Sequence, residues 1–370
     1  MGIFNRTVNK AAISPEPTKA AAAGGVYAGQ NNTGSFLIGQ YYSYQAGEAR
    51  NLAMQVPTIS RARDLLCSVI GNMNLRMYNE VWNELEERMM KIYIAPRSWL
   101  RRIDPQIPNV FTLSFLLDDL FFFGRAFLYA TAYTADGFPT AFTRLPAAMV
   151  QTPDVGDGPV WFGPSKQIMF QGGQLDAENV VQFLSPIQGI TYMSEQSIKT
   201  ALKLEAARYR NSSSAIPAGI LRQTGGEPLS AQELADLAAA FNAARETNQT
   251  AALNEFVTYT ETLTSPDKML LIESAEFQAM EMARLCNIPP YLAGISVGSY
   301  SYQSSAESRM DLWTFGARSY AECIASTLSQ NNVLPNGTMV EFDVEQYLTG
   351  ESSMDEMRET EETERVELPS

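Results

Sequence analysis

The sequence predicts an α+β protein made of a mixed α/β body, a stalk of two helices and a small α/β tip. Three observations carry that expectation. Helical and strand-like periodicities alternate between residues 56 and about 190, so helices and strands share one body. Two helix-length segments, about 194–211 and 265–286, then bracket a strand–helix–strand unit. Of 370 residues, 45% are hydrophobic and 18% charged, the composition of an ordered globular chain.

Residues 1–55 are rich in Ala, Gly, Ser and Asn without sustained periodicity and read as a flexible arm. In VPTISRARDLLCSVIGNMNLRMY, Ile59, Ala62, Leu65, Leu66, Val69 and Ile70 recur at helical spacing. Gly71 and Asn72 stop that helix, and Leu75 and Met77 alternate around Arg76 as a strand. A second helix begins near Val110. It is apolar nearly all round and should be buried, and Gly124 suits the left-handed position after its last turn. Phe127, Tyr129 and Tyr133 follow as a strand, and Asp136-Gly137 makes a tight turn. A further hairpin is expected over 159–172, and NVVQFL, ending at Leu184, reads as another strand.

Ser194 is placed as the N-cap of a helix marked by Ile198, Ala201, Leu202, Leu204 and Ala206. AGILRQ, ending at Gln223, is a short strand, and Ser230 with Glu233 forms a capping box for a helix through about Arg245. FVTYTETL alternates as a strand. Ser265-Pro266-Asp267 opens the next helix, in which Met269, Met280 and Met282 read as packing residues; Asn287, Pro289 and Pro290 end it. Ser305-Ala306-Glu307 starts another helix to about Ser329, and MVEFDVEQYL is a final strand and turn. Residues 351–370 carry eight acids and two arginines, an acidic tail expected to be disordered.

Composition narrows the function. A net charge of −14 argues against a general nucleic-acid binder. It leaves open a protein that lets DNA pass without gripping it. The chain has no histidine, which excludes a Ser-His-Asp triad, a Cys-His pair and an HExxH zinc site. Neither a phosphate-loop nor a dinucleotide-binding glycine pattern is present, and the acidic clusters lack calcium-loop spacing. No catalytic residue, metal ligand or cofactor is therefore assigned; a carboxylate-dependent hydrolase is the enzymatic alternative. Cys67, Cys286 and Cys323 sit in apolar helical contexts and read as buried free thiols in a reducing compartment. No apolar run approaches the roughly 20 residues of a membrane span, and the N-terminus lacks the pattern of a secretory signal.

One segment stands out. From Asn287 to Ala306, between two helices, there is no charged residue. Its two prolines, two glycines and alternating Ser-Tyr-Ser-Tyr, taken alone, read as an ordinary flexible linker.

Over residues 56–350 the chain resembles the portal proteins of tailed double-stranded DNA bacteriophages. NIPPYLAG, Asn287 to Gly294, is similar to their GVPP-x-LLG element, and Ser304-Ser305-Ala306-Glu307 to the small-residue start that follows their variable loop. PAGILRQ, Pro217 to Gln223, matches their PSGVL strand, and FFFGRAFLYATAYTADGFPTAFTRLP their glycine, strand, D-G turn and L-x-P order. Two departures are visible. Gln182 stands where the family often has histidine, and TYMSEQS replaces G-x-S-P before the first stalk helix.

The resemblance implies a portal-like fold and a dodecameric ring at one capsid vertex, made in the host cytoplasm. It implies a wing over 56–193 and 304–350, a stem over 194–213 and 265–288, and a clip over 214–264. A channel loop over 289–303 would present Ser296, Val297, Gly298, Ser299, Tyr300, Ser301, Tyr302 and Gln303 to passing double-stranded DNA. A neutral surface there suits sliding, because lysines would hold the phosphates. Arg222, Glu233, Asp236, Arg245 and Glu246 on the clip are the expected docking surface for the terminase large subunit and the head–tail adaptor or neck protein. The major capsid protein is a further expected partner, and no membrane is. On the stem, Lys199, Lys203, Arg208 and Arg210 are either a solvated face or partners of Glu273, Glu276 or Glu281 on the neighbouring subunit. A neck or tail ring protein without a packaging role is the non-enzymatic alternative.

Overall fold

The computed structural model describes residues 46–84, 87–155, 163–171, 173–213, 219–246, 256–261, 271–295 and 305–349. A helix α1 over 46–54 precedes α2 (Pro57–Asn72). Residues 1–45 lie outside the described residues, and residues 46–54, expected to belong to a flexible arm, are therefore helical. The reason lies far along the chain: Arg50 of α1 forms a two-point ion pair with buried Asp118, 68 residues away, at 2.7 and 2.8 Å.

The body continues with β1 (Leu75–Asn83), β2 (Arg88–Ile94), α3 (Ser98–Arg101), α4 (Asn109–Phe123), β3 (Arg125–Tyr133) and β4 (Pro139–Leu145). Short strands β5 (Val150–Gln151), β6 (Ile168–Phe170) and β7 (Gly173–Leu175) form a small antiparallel sheet, followed by β8 (Val180–Leu184). The hairpin expected over 159–172 thus pairs later, Ile168 with Leu175, and its other neighbour is β5. Residues 156–162 lie outside the described residues. After α5 (Ile190–Met193) come α6 (Glu195–Ser213), β9 (Gly219–Gln223), α7 (Ala231–Glu246), β10 (Val257–Glu261) and α8 (Leu271–Leu285). A last helical stretch comprises α9 (Ser305–Asp311), a π-helical segment Leu312–Ala317 and α10 (Arg318–Leu328). Strand β11 (Thr338–Phe342) and α11 (Val344–Thr349) complete the described chain.

Why α4 ends where it does is local physics. Gly124 has φ +70°, its N–H reaches Leu120 O at 2.9 Å, and β3 begins at the next residue. A side chain there would be strained. β3 then pairs with β4 on one side and β8 on the other. The second sheet runs β11-β1-β2, so the last described strand closes against the first.

One apolar core joins these parts. It includes Ile59, Leu66 and Ile70 of α2, Leu113 to Phe123 of α4, Phe127, Phe142 and Phe183 of the central sheet, and Ile324 and Leu328 of α10. Truncating a fully buried phenylalanine in such a core costs about 3–5 kcal/mol. α4 is buried along its second half as expected, but Val110 and Phe111 at its start are exposed.

Candidate functional site

The candidate site is the pair α6 and α8, the module between them and the neutral segment that follows. Both helices root in the body core: Ile198 and Ala201 of α6, and Met282, Ala283 and Cys286 at the end of α8, are all buried there. They also touch each other, and the Gln278 amide donates to Ser197 O at 3.4 Å. Ser194 precedes α6 as expected and its carbonyl accepts from Ile198 N–H at 2.9 Å. Its hydroxyl, however, is buried without a hydrogen-bond partner among the described residues, so it does not cap the helix. The expected start of α8 at Ser265 lies outside the described residues.

α8 ends in a left-handed turn at Asn287, φ +53°. Asn287 N–H bonds to Arg284 O and Ile288 N–H to Ala283 O, both at 3.1 Å, which satisfies two of the helix's last carbonyls. Pro290–Ala293 then forms a single 3₁₀ turn closed by Gly294 at φ +82°. The hydroxyl of Tyr291 donates to Asp311 Oδ2 of α9 at 3.0 Å. This ties together the two ends of the neutral segment, Ile295 and Ser305. The expected channel residues Ser296 to Gln303 lie between them, outside the described residues.

The helix expected from Ser305 to Ser329 is present but not uniformly α. Between Leu312 and Ala317 it widens to π geometry, a form common at functional sites. Gly316 faces α2 in this segment: a Cβ there would sit 2.8 Å from Leu66 Cδ2, so a side chain would require Leu66 to shift, while Asn287 O at 3.5 Å would be in ordinary contact.

The module between α6 and α8 has its own small core. β9 and β10 pair antiparallel, Leu221 opposite Tyr259, and α7 lays Phe241 against the Tyr259 ring at 5.2 Å between centroids. A bare two-strand hairpin is marginal in water, so this helix is what completes the unit. The Gln223 amide donates to Gly225 O and Glu227 O and accepts from Leu229 N–H, holding the turn into α7. The capping box is formed as expected: Glu233 accepts from Ser230 N–H at 2.8 Å, and Ser230 Oγ from Glu233 N–H at 3.4 Å. The Ser230 N–H and hydroxyl, both donating to Glu233, hold its carboxyl below the usual range.

The charged residues singled out in sequence fall as follows. Arg222, Glu233 and Asp236 are exposed on the module, and Asp236 accepts from the Gln232 amide at 3.2 Å. Arg245 and Glu246 fall at the end of α7 and Arg210 near the end of α6. On α6, Lys199 pairs with Glu195 and Arg208 with Glu205 at 3.0 Å, while Lys203 is exposed. On α8, Glu281 pairs with Arg284, and Glu273 and Glu276 are exposed. Exposed pairs of this kind contribute about 0.3–0.5 kcal/mol each.

Sequence reasoning missed the most heavily charged buried cluster. Asp118 and Asp119 of α4 are both buried. Asp118 is bound by Arg50 and by Arg63 Nε at 2.7 Å; Asp119 is bound two-fold by Arg144 at 2.7 and 2.8 Å and accepts from Ala147 N–H at 3.3 Å. The Arg63 and Arg144 guanidinia both lie over the Phe115 ring, at 5.3 and 5.0 Å. Burial pushes the Asp119 carboxyl up to about 6. The cluster joins α1, α2, α4 and β4. An acid pair inside an otherwise apolar helix was the available signal. Its carboxylates are bound by arginines rather than open to a substrate. The three thiols are buried too, and burial pushes Cys67 and Cys286 to about 12 and Cys323 to about 11, far from reactive. Among the described residues no group of His, Cys, Asp or Glu is placed to hold a metal ion, and no helix is long and apolar enough to cross a membrane.

The described chain is thus a body with two core-rooted helices, a separate module between them in sequence and a tied neutral segment after them. The family profile described as Phage portal protein matches residues 57–356, and the chain belongs to that family. Its fold is similar to that of an HK97-family phage portal protein from Corynebacterium diphtheriae, with a TM-score of 0.65 and 20% identity, covering 81% of this chain and 97% of that one. It is also similar to a chain of a native gene transfer agent virion, with a TM-score of 0.55, 15% identity and coverage of 88% and 90%. A chain in the neck of the native gene transfer agent particle, with C12 symmetry, matches at a TM-score of 0.51 and 16% identity, over 80% and 82%. No curated protein matches the sequence.

Proposed function

We propose that this chain is a portal subunit which assembles as a twelvefold ring at one capsid vertex and serves as the conduit for double-stranded DNA during packaging and ejection. The observation that carries the reading is the α6–module–α8 arrangement in a chain of the portal family. In this reading α6 and α8 are the stem, the β9–α7–β10 module is the clip, the remaining body is the wing, and Ser296 to Gln303 contact the duplex. The clip meets the terminase large subunit during packaging and the adaptor or neck protein afterwards, while the wing meets the major capsid protein. The chain acts by shape and assembly, without catalysis or a cofactor.

The test is the mass and image of the purified protein. Rings near twelve times the chain mass with a central channel are expected. A stable monomer across the micromolar range overturns the proposal. The similarity to neck components favours one second reading, a neck ring without a motor. Failure of the ring to bind the terminase large subunit under packaging conditions would select it.

A further inference from the structure

We propose that the β1–β2 hairpin is a contact between neighbouring copies of this chain, its apolar end seated on the next subunit of the ring. The inference rests on the ring reading above. In the β1–β2 register Val81 lies opposite Met90, Trp82 opposite Met89, and Asn79 opposite Ile92. Toward the body the same sheet face is covered, with Met77 in the core. Away from the body it is bare, with Val81 47% and Ile92 52% exposed, and on the opposite face Met89 is 51% and Trp82 56% exposed. Both faces of the hairpin end therefore expose large apolar side chains. β2 is also an edge of its sheet among the described residues, so one side of its backbone is open to pairing.

The occupant is a second copy rather than DNA. Glu80, Glu84 and Glu87 outnumber the cations Arg88 and Lys91 on the hairpin, and Lys91 is already bound to Glu341, so the surface does not attract phosphate. A closed ring is built from head-to-tail contacts in which each copy offers two different surfaces, one to each neighbour. A projecting apolar hairpin with a bare edge supplies one of the two.

The test uses Met90→Cys and Ile92→Cys, because the three native thiols are buried. Maleimide labelling is followed in assembled rings and in subunits dissociated without unfolding. Labelling about tenfold or more slower in rings is expected, as for any site reached only by local opening. Equal rates overturn the contact. Fast labelling in rings but slow labelling in whole particles also overturns it and transfers the hairpin to the shell protein. A paired variant, Met90→Glu with Ile92→Glu, should stay monomeric with an unchanged circular dichroism spectrum; normal rings from it overturn the proposal. If the unmodified chain forms no rings, the ring reading fails and this contact fails with it.

Discussion

Tyr291 and Asp311, 20 residues apart, close a hydrogen bond of 3.0 Å across the two ends of the neutral segment. The bond fixes where that segment leaves the end of α8 and where it rejoins α9. Removing it with Tyr291→Phe should lower stability by about 0.5–1.5 kcal/mol, the usual net worth of one hydrogen bond. Chemical denaturation of both proteins measures this. No change would mean that water replaces the phenol without loss.

Deleting Ser296 to Gln303 should leave folding and ring assembly intact and impair DNA packaging or retention. Only Val297 in that stretch is aliphatic, and changing a loop's length alters its closure entropy by less than about 1 kcal/mol. Tyr300→Lys with Tyr302→Lys should slow translocation by adding attraction to phosphate. The DNA length packaged by an in-vitro motor reads both. Normal filling by both variants would reduce the segment to a linker.

Reversing Arg222 and Arg245 to Glu should weaken binding of the packaging motor while rings still form. Arg222 is exposed on β9 and its register partner is Thr258, so the change disturbs no buried contact. Unaltered motor binding by both variants would move the docking surface elsewhere.

Asn287 occupies the left-handed position after α8. Asn287→Gly should be neutral or slightly stabilising, whereas Asn287→Ala should cost about 1 kcal/mol, because alanine keeps the Cβ but loses the short polar side chain that lets asparagine adopt that conformation. Thermal midpoints of the two variants in opposite directions, or with Ala clearly below Gly, are expected. Equal midpoints would show that the turn relaxes.

Asp119 gives a pH dependence of definite sign. Its folded pKa of about 6 lies above the ordinary aspartate value of 3.8, so the folded chain holds a proton that the unfolded chain releases first. The stability it contributes is full below pH 3.8 and is lost as pH rises through about 6. Asp119→Asn cannot follow that titration. The margin by which the native protein exceeds the variant should therefore narrow between pH 4 and pH 6 (about the two pKa values) and stay level above. A margin that is constant with pH would show that the carboxylate is ionised throughout.

What was legible in the sequence was what neighbours in sequence decide. Gly124, the Ser230–Glu233 box and the turn at Asn287 each follow from local backbone rules, and each is where those rules put it. Elements fixed by distant partners were not legible. β2 reads RMMKIYI, without alternation, and becomes a strand because β1 lies beside it. α1 is secured by Asp118 on another helix, and the π segment packs against α2 through Gly316, close to Leu66. In the candidate site the helices and the module were readable, but the Tyr291–Asp311 tie was not, since nothing local pairs a tyrosine with an aspartate 20 residues on.

The pairing of β1 with β11 has a consequence for synthesis. Asn74 and Gln346 meet across 272 residues, and Asp343 N–H bonds to Asn74 O beside them. While the chain is on the ribosome, β1 waits with one edge bare and the β11-β1-β2 sheet cannot close. The β9–α7–β10 module, by contrast, has all its parts within about 45 residues and can fold long before the body does. A nascent chain stopped before residue 338 would present a finished tip on an unfinished body. Such a fragment would leave the β1 edge that β11 covers open to pairing with another strand, so the last described strand is what keeps that edge from joining other chains.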